Sequence, residues 1–160
     1  MGYAVMGVDP GTTGAVSVLG SAMSDSAKIL YAQKFSPDMT RPQFKELMRE
    51  AVRKLRVAGG EDVYLEKVGF KRGDGGQGAF TFGRIYGWCE TALEHHDLVI
   101  HDVYPAIWQG RLGCLSGGNK NVTKRKAIEL FGDQVKVTHA IADSLLIAEY
   151  GRRRLMLQDL

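Results

Sequence analysis

Residues 3–14, YAVMGVDPGTTG, determine how the rest of the chain can be read. Tyr3 to Val8 form a nearly continuous apolar run, the pattern of a strand buried on both faces in the middle of a sheet. The run ends on a carboxylate, Asp9, and Pro10, Gly11 and Gly14 then mark a tight turn. AVSVL (15–19) follows directly, so the two runs are predicted to pair as a hairpin. KILYAQKF (28–35) reads as a third strand.

A helix is marked next. Thr40 and Gln43 have the spacing of a capping box, and Phe44, Leu47, Met48, Ala51, Val52 and Leu55 recur at the helical period until Gly59 and Gly60. DVYLEKV (62–68) is a fourth strand, also ending near a carboxylate, Glu66. A strand–helix–strand connection of this length favours a parallel crossover. If the fourth strand lies beside the first, Asp9 and Glu66 meet at the carboxyl edge of the sheet, where open α/β sheets place their sites.

GFKRGDGGQG (69–78) leads into a second helix expected from about Ala79 to His96. That segment is apolar nearly all round, through Phe80, Phe82, Ile85, Tyr86, Trp88, Cys89, Ala92 and Leu93, so it calls for a second cover beyond the sheet. Gly83 and Gly87, one turn apart, allow a neighbouring helix to come close. DLVIHDV (97–103) is a short fifth strand, and VTKRKAIELFG (122–132) and THAIADSLLIAEYGRRRL (138–155) are the last two helices. The expected architecture is one α/β domain over residues 1–160, a five-stranded mixed sheet flanked by helices.

Composition narrows the function. No apolar run spans a bilayer, the N-terminus enters a strand without a leader pattern, and Cys89 and Cys114 form no framework. These features fit a cytoplasmic protein. The net charge of +3 is modest, but cations cluster at Lys67, Lys71 and Arg72, at Lys120, Lys124, Arg125 and Lys126, and at Arg152 to Arg154. Clusters of this kind are commonly solvated surface, and three of them suit a phosphate-rich partner.

The third carboxylate of interest is Asp143, in the opening turn expected for the last helix, with His139 four residues before it on the same face. Carboxylates from distant parts of a small fold repel one another unless a divalent cation lies between them. Mg2+ takes hard oxygen ligands, and a pair of such ions activates water and stabilises a leaving oxygen in phosphodiester hydrolysis. Asp9, on a rigid strand end, is then the bridging ligand, with Glu66 and Asp143 completing one shell each. His139 could bind metal, orient water or carry a proton. Each residue also has a plain structural reading: Asp9 as a turn former, Glu66 at a solvent edge, Asp143 as a helix-start residue paired with His139. Gly73, Gly75 and Gly78 match GxGxxG, but after the second parallel strand, where Glu66 would repel a pyrophosphate, so no nucleotide cofactor is expected. An aromatic with two cations on that loop suits a nucleic-acid wedge. Cys89, His95, His96 and His101 lack zinc spacing.

Taken together, GVDPGTTGAV, YLEKV, the Gly-rich loop entering an aromatic helix, YPAIWQGRLG (104–113) and HAIADSLLIAEYG (139–151) resemble the RuvC-type Holliday-junction resolvases, most closely the short phage-encoded branch. The resemblance implies an RNase H-like fold, a homodimer joined through the aromatic helix, and magnesium-dependent symmetric nicking of branched DNA, with Mn2+ substituting. Asp9, Glu66 and Asp143 match the family's acidic ligands. His139 falls where the family carries a fourth Asp or His, although some members place it three before the last Asp, where this chain has Ala140. Phe70, Lys71 and Arg72 fall in the loop used near the junction crossover, and Lys120, Lys124 and Lys126 in a phosphate-contacting segment. DPGTTG also looks like the phosphate loop of the actin, sugar-kinase and heat-shock ATPase superfamily, whose members need two such lobes. A non-catalytic nucleic-acid-binding module, or an RNA-directed nuclease of the same fold, would carry many of the same features.

Overall fold

The structure, a computed structural model, describes residues 3–21, 26–69 and 75–158. Five strands, β1 (Tyr3–Asp9), β2 (Ala15–Ser21), β3 (Ala27–Lys34), β4 (Asp62–Glu66) and β5 (Val99–Val103), form one sheet in the order β3-β2-β1-β4-β5. β1–β2 and β2–β3 are antiparallel, as the turn chemistry predicts, and β1–β4 and β4–β5 are parallel. The helices are α1 (Arg41–Val57), α2 (Gly76–His95), α3 (Pro105–Arg111), α4 (Lys120–Phe131) and α5 (His139–Gln158).

Strand alternation assigns the two faces. Ala4, Met6, Val8, Val63 and Leu65 point into a core with Phe44, Leu47, Met48 and Leu55 of α1 and Ile85, Cys89 and Leu93 of α2. Val5 and Tyr64 point the other way, into a core with Leu145, Leu146 and Ala148 of α5, Trp108 of α3, and Ala127 and Phe131 of α4. By the same alternation, Asp9 and Glu66 share the face of Val5 and Tyr64, the side that α5 covers. Val8 pairs with Leu65, so the two carboxylates end adjacent parallel strands at one edge, as the crossover argument predicts.

Local chemistry accounts for the boundaries. Thr40 and Gln43 complete the expected capping box, with Gln43 Oε1 accepting from the Thr40 N–H at 2.8 Å. Gly59 ends α1 at a φ of 79°, where a side chain would be strained. Three expectations need correction. α2 begins at Gly76 rather than near Ala79, because Ala79 N–H already bonds the Gly75 carbonyl. Asp143 lies beyond the opening turn, since α5 starts at His139. The periodicity also did not mark α3, which Pro105 initiates immediately after β5.

α5 lies close against β1. A Cβ built on Gly7 would run into backbone atoms of Ser144 and Ala148, and Ser17 Oγ meets Ser144 Oγ at 2.6 Å beside this contact. The docking fixes Asp143 over the end of β1. Gly7→Ala is therefore expected to destabilise the protein by at least about 1–3 kcal/mol, read as a lower denaturation midpoint at unchanged m. A wild-type midpoint would show that α5 can lift away without cost.

Candidate active site at the carboxyl edge of the sheet

Asp9 closes β1 and begins its turn. Its Oδ1 accepts the Gly11 N–H at 3.3 Å, while Gly14 N–H closes the loop onto the Gly11 carbonyl at 2.9 Å. Asp143 projects from α5 toward the same place. The Asp9 carboxyl is raised to about 6, first by burial and then by the negative charge of Asp143, while the Gly11 N–H and the Lys120 ammonium pull it back. Asp143 is also pushed above the ordinary carboxylate range by burial, against the Thr123 hydroxyl, Lys120 and His139. Its Oδ1 is buried without a hydrogen-bond partner.

Glu66 is held differently. It is 8% exposed, and the Trp108 indole N–H donates to its Oε2 at 2.6 Å. Among the described residues, no three His, Cys, Asp or Glu side chains already stand close enough to enclose an ion. Asp9 and Asp143 form the repelling pair, and Glu66 stands at the neighbouring strand end. The donors nevertheless fit a divalent cation in kind. They are hard oxygens, one is a buried orphan, and two share a charge conflict that a cation would relieve.

Other sequence-derived residues are placed as follows. His139, the first residue of α5, is exposed, and its Nε2 donates to Asn121 Oδ1 at 2.9 Å; its charge bears on Asp143. Lys120, at the start of α4, is exposed, and its charge bears on both Asp9 and Asp143. Lys124, one turn on, is half-buried. Lys126 is paired with Glu129 at 2.8 Å. Phe70, Lys71 and Arg72, with Gly73, lie outside the described residues. Lys67 is paired with Asp102 at 3.2 Å.

The third basic run is a correction. Arg152 is buried against Glu149 at 2.7 Å, Arg153 reaches the same carboxylate at 2.6 Å, and Arg154 meets the Tyr150 hydroxyl at 3.4 Å. Two of these three arginines are therefore engaged by one carboxylate of their own helix. Sequence reasoning missed Trp108 and Thr123. A Trp four residues into a Pro-initiated helix signals a buried N–H that needs an acceptor, but not which one.

A five-stranded mixed sheet in the order 3-2-1-4-5, with helices on both faces and acidic residues at the ends of β1 and β4, defines the RNase H-like class of fold. Two structures of Thermus thermophilus RuvC, one in complex with a Holliday junction substrate, each align with a TM-score of 0.68 at 18% identity, over 97% of this chain and 96% of theirs. A yeast mitochondrial Holliday junction resolvase aligns at a TM-score of 0.48 and 11% identity over 98% of this chain and 86% of its own, too distant to carry an argument. No protein-family model and no curated protein matches the chain. The fold expectation is thus met. No helix among the described residues is long and apolar enough to cross a membrane.

Proposed function

We propose that this chain is a single-domain, metal-dependent endonuclease that resolves four-way and other branched DNA by symmetric phosphodiester hydrolysis. The observation that carries the reading is the meeting of Asp9 and Asp143 at one sheet edge, at a cost in charge repulsion that a structural role does not require. The RuvC-like fold supports the choice of substrate. Asp9, Glu66 and Asp143 would hold Mg2+ or Mn2+, two ions per site, which would supply Lewis-acid stabilisation and an ionised water.

The chain's own residues do the rest. Lys120, whose charge bears on the carboxylates, would meet the scissile phosphate. His139, hydrogen-bonded to Asn121, would move a proton at the rim. Lys124 and Lys126, with Phe70, Lys71 and Arg72, supply phosphate contacts and the wedge at the crossover. A homodimer presents two such sites to a junction with two-fold symmetry. Its contact is α2, which buries only Ile85, Cys89 and Leu93 and leaves Phe80 72% exposed. On this reading the protein acts in the cytoplasm.

A synthetic four-way junction, incubated with Mg2+ or Ca2+, tests this reading. Paired nicks on opposing strands with Mg2+ alone are the expected result. Tight binding without cutting under any divalent ion would favour a binding module, and cutting confined to RNA-containing strands would favour an RNA-directed nuclease.

A further inference from the structure

We infer that Trp108 is a positioning residue for the carboxylate site, fixing Glu66 through its indole N–H. The inference rests on reading Asp9, Glu66 and Asp143 as divalent-cation ligands. Trp108 is 0% exposed, and its N–H can only donate, so it must find an acceptor inside the protein. It takes Glu66 Oε2 at 2.6 Å, a short, charge-assisted bond.

The strut is tied to the backbone it supports. Glu66 pairs with Val103, and Lys67 N–H bonds the Val103 carbonyl at 2.8 Å. Pro105 starts α3 two residues later, and Trp108 returns from its first turn across β5 to the end of β4. The indole packs in the core with Leu112, Ala127, Phe131 and Leu145, so it cannot swing without opening that core. A glutamate has more rotamer freedom to lose than an aspartate, so a rigid partner matters more to Glu66 than to Asp9 or Asp143. The donor is also neutral. A Lys or Arg in its place would add a positive charge beside the carboxylate, whereas an indole orients it without one.

Calorimetric titration of the metal-free protein with MnCl2 tests this. The comparison is between wild type, Trp108→Phe, and protein carrying benzothienylalanine at position 108, which keeps the indole shape but replaces N–H by sulfur. Both changes are expected to weaken Mn2+ binding about 10- to 100-fold, the usual consequence of losing a partner that orients a ligand. In a Glu66→Gln background, Trp108→Phe is expected to add little, because the two residues act as one unit. Wild-type affinity in the benzothienylalanine protein would overturn the hydrogen-bond role and leave Trp108 as packing. No Mn2+ binding by wild type would instead overturn the metal-site reading, and the role of Trp108 with it.

Discussion

Asp9→Asn is expected to abolish junction cleavage and, in the same protein, to raise thermal stability at pH 8 in the absence of metal. In the folded protein the Asp9 carboxyl is raised to about 6, first by burial and then by Asp143, against 3.8 for the free group. The native state therefore binds this proton more tightly than the unfolded chain does. Its contribution to stability is full below about pH 4 and is lost as pH rises through about 6. Above that, the buried charge costs roughly 2–3 kcal/mol, with some discount for the part of Asp9 that reaches solvent. Asparagine keeps the oxygen that accepts the Gly11 N–H and removes the charge.

For a chain of this size the gain corresponds to about 5–10 °C in melting temperature at pH 8, shrinking toward zero near pH 4. Millimolar Mg2+ should raise the melting temperature of wild type and leave that of the variant unchanged, since only wild type keeps the carboxylate proposed to bridge the ions. Differential scanning calorimetry across pH, with a cleavage assay on the same samples, reads all three effects. Lower stability of Asp9→Asn at pH 8 would mean that Asp9 serves the turn at Pro10 and Gly11, and the metal-site reading would lose its central residue.

Much of the frame behind this result was legible in the sequence. The apolar run of β1, the Asp-Pro-Gly turn and the length of the α1 crossover pointed to a hairpin and a parallel return; that β4 lies beside β1, and so Asp9 beside Glu66, was conditional in the sequence and is met in the structure. What stayed hidden depends on tertiary packing. α3 spans only two turns, too short for a period to emerge, and the Glu66–Trp108 bond joins residues 42 positions apart. Within the last basic run, Arg152 leaves the surface because Glu149, three positions before it on the same helix, engages it inside the fold, while Arg153 and Arg154 stay exposed. The doubly apolar look of α2 was sound as composition, yet only Ile85, Cys89 and Leu93 are buried; Tyr86, Trp88 and Ala92 pack half-buried around them, Phe82 meets the Tyr86 ring, and Phe80 stays out.

Lys120 gives the second large effect, because its cation stands with the carboxylates. A lysine that only contacts DNA phosphates far from the reaction would, when neutralised, weaken binding and flatten the salt dependence without changing the pH at which cleavage fails. Lys120 instead holds down the protonation of both Asp9 and Asp143. Lys120→Met is therefore expected to move the acid limb of the cleavage profile upward by about one pH unit, the scale of shift a close opposite charge produces. The loss in rate from protonation alone would be about threefold at pH 6.5 and would approach tenfold below about pH 5. A further loss at pH 8 is expected if Lys120 makes the proposed contact with the scissile phosphate. Lys124→Met and Lys126→Met serve as controls. Lys124 is one turn from the site and Lys126 is paired with Glu129, so both variants should weaken junction binding and leave the acid limb in place. An unmoved acid limb in Lys120→Met would return Lys120 to the general phosphate-binding surface. A shift in that variant alone would assign it to the reaction centre.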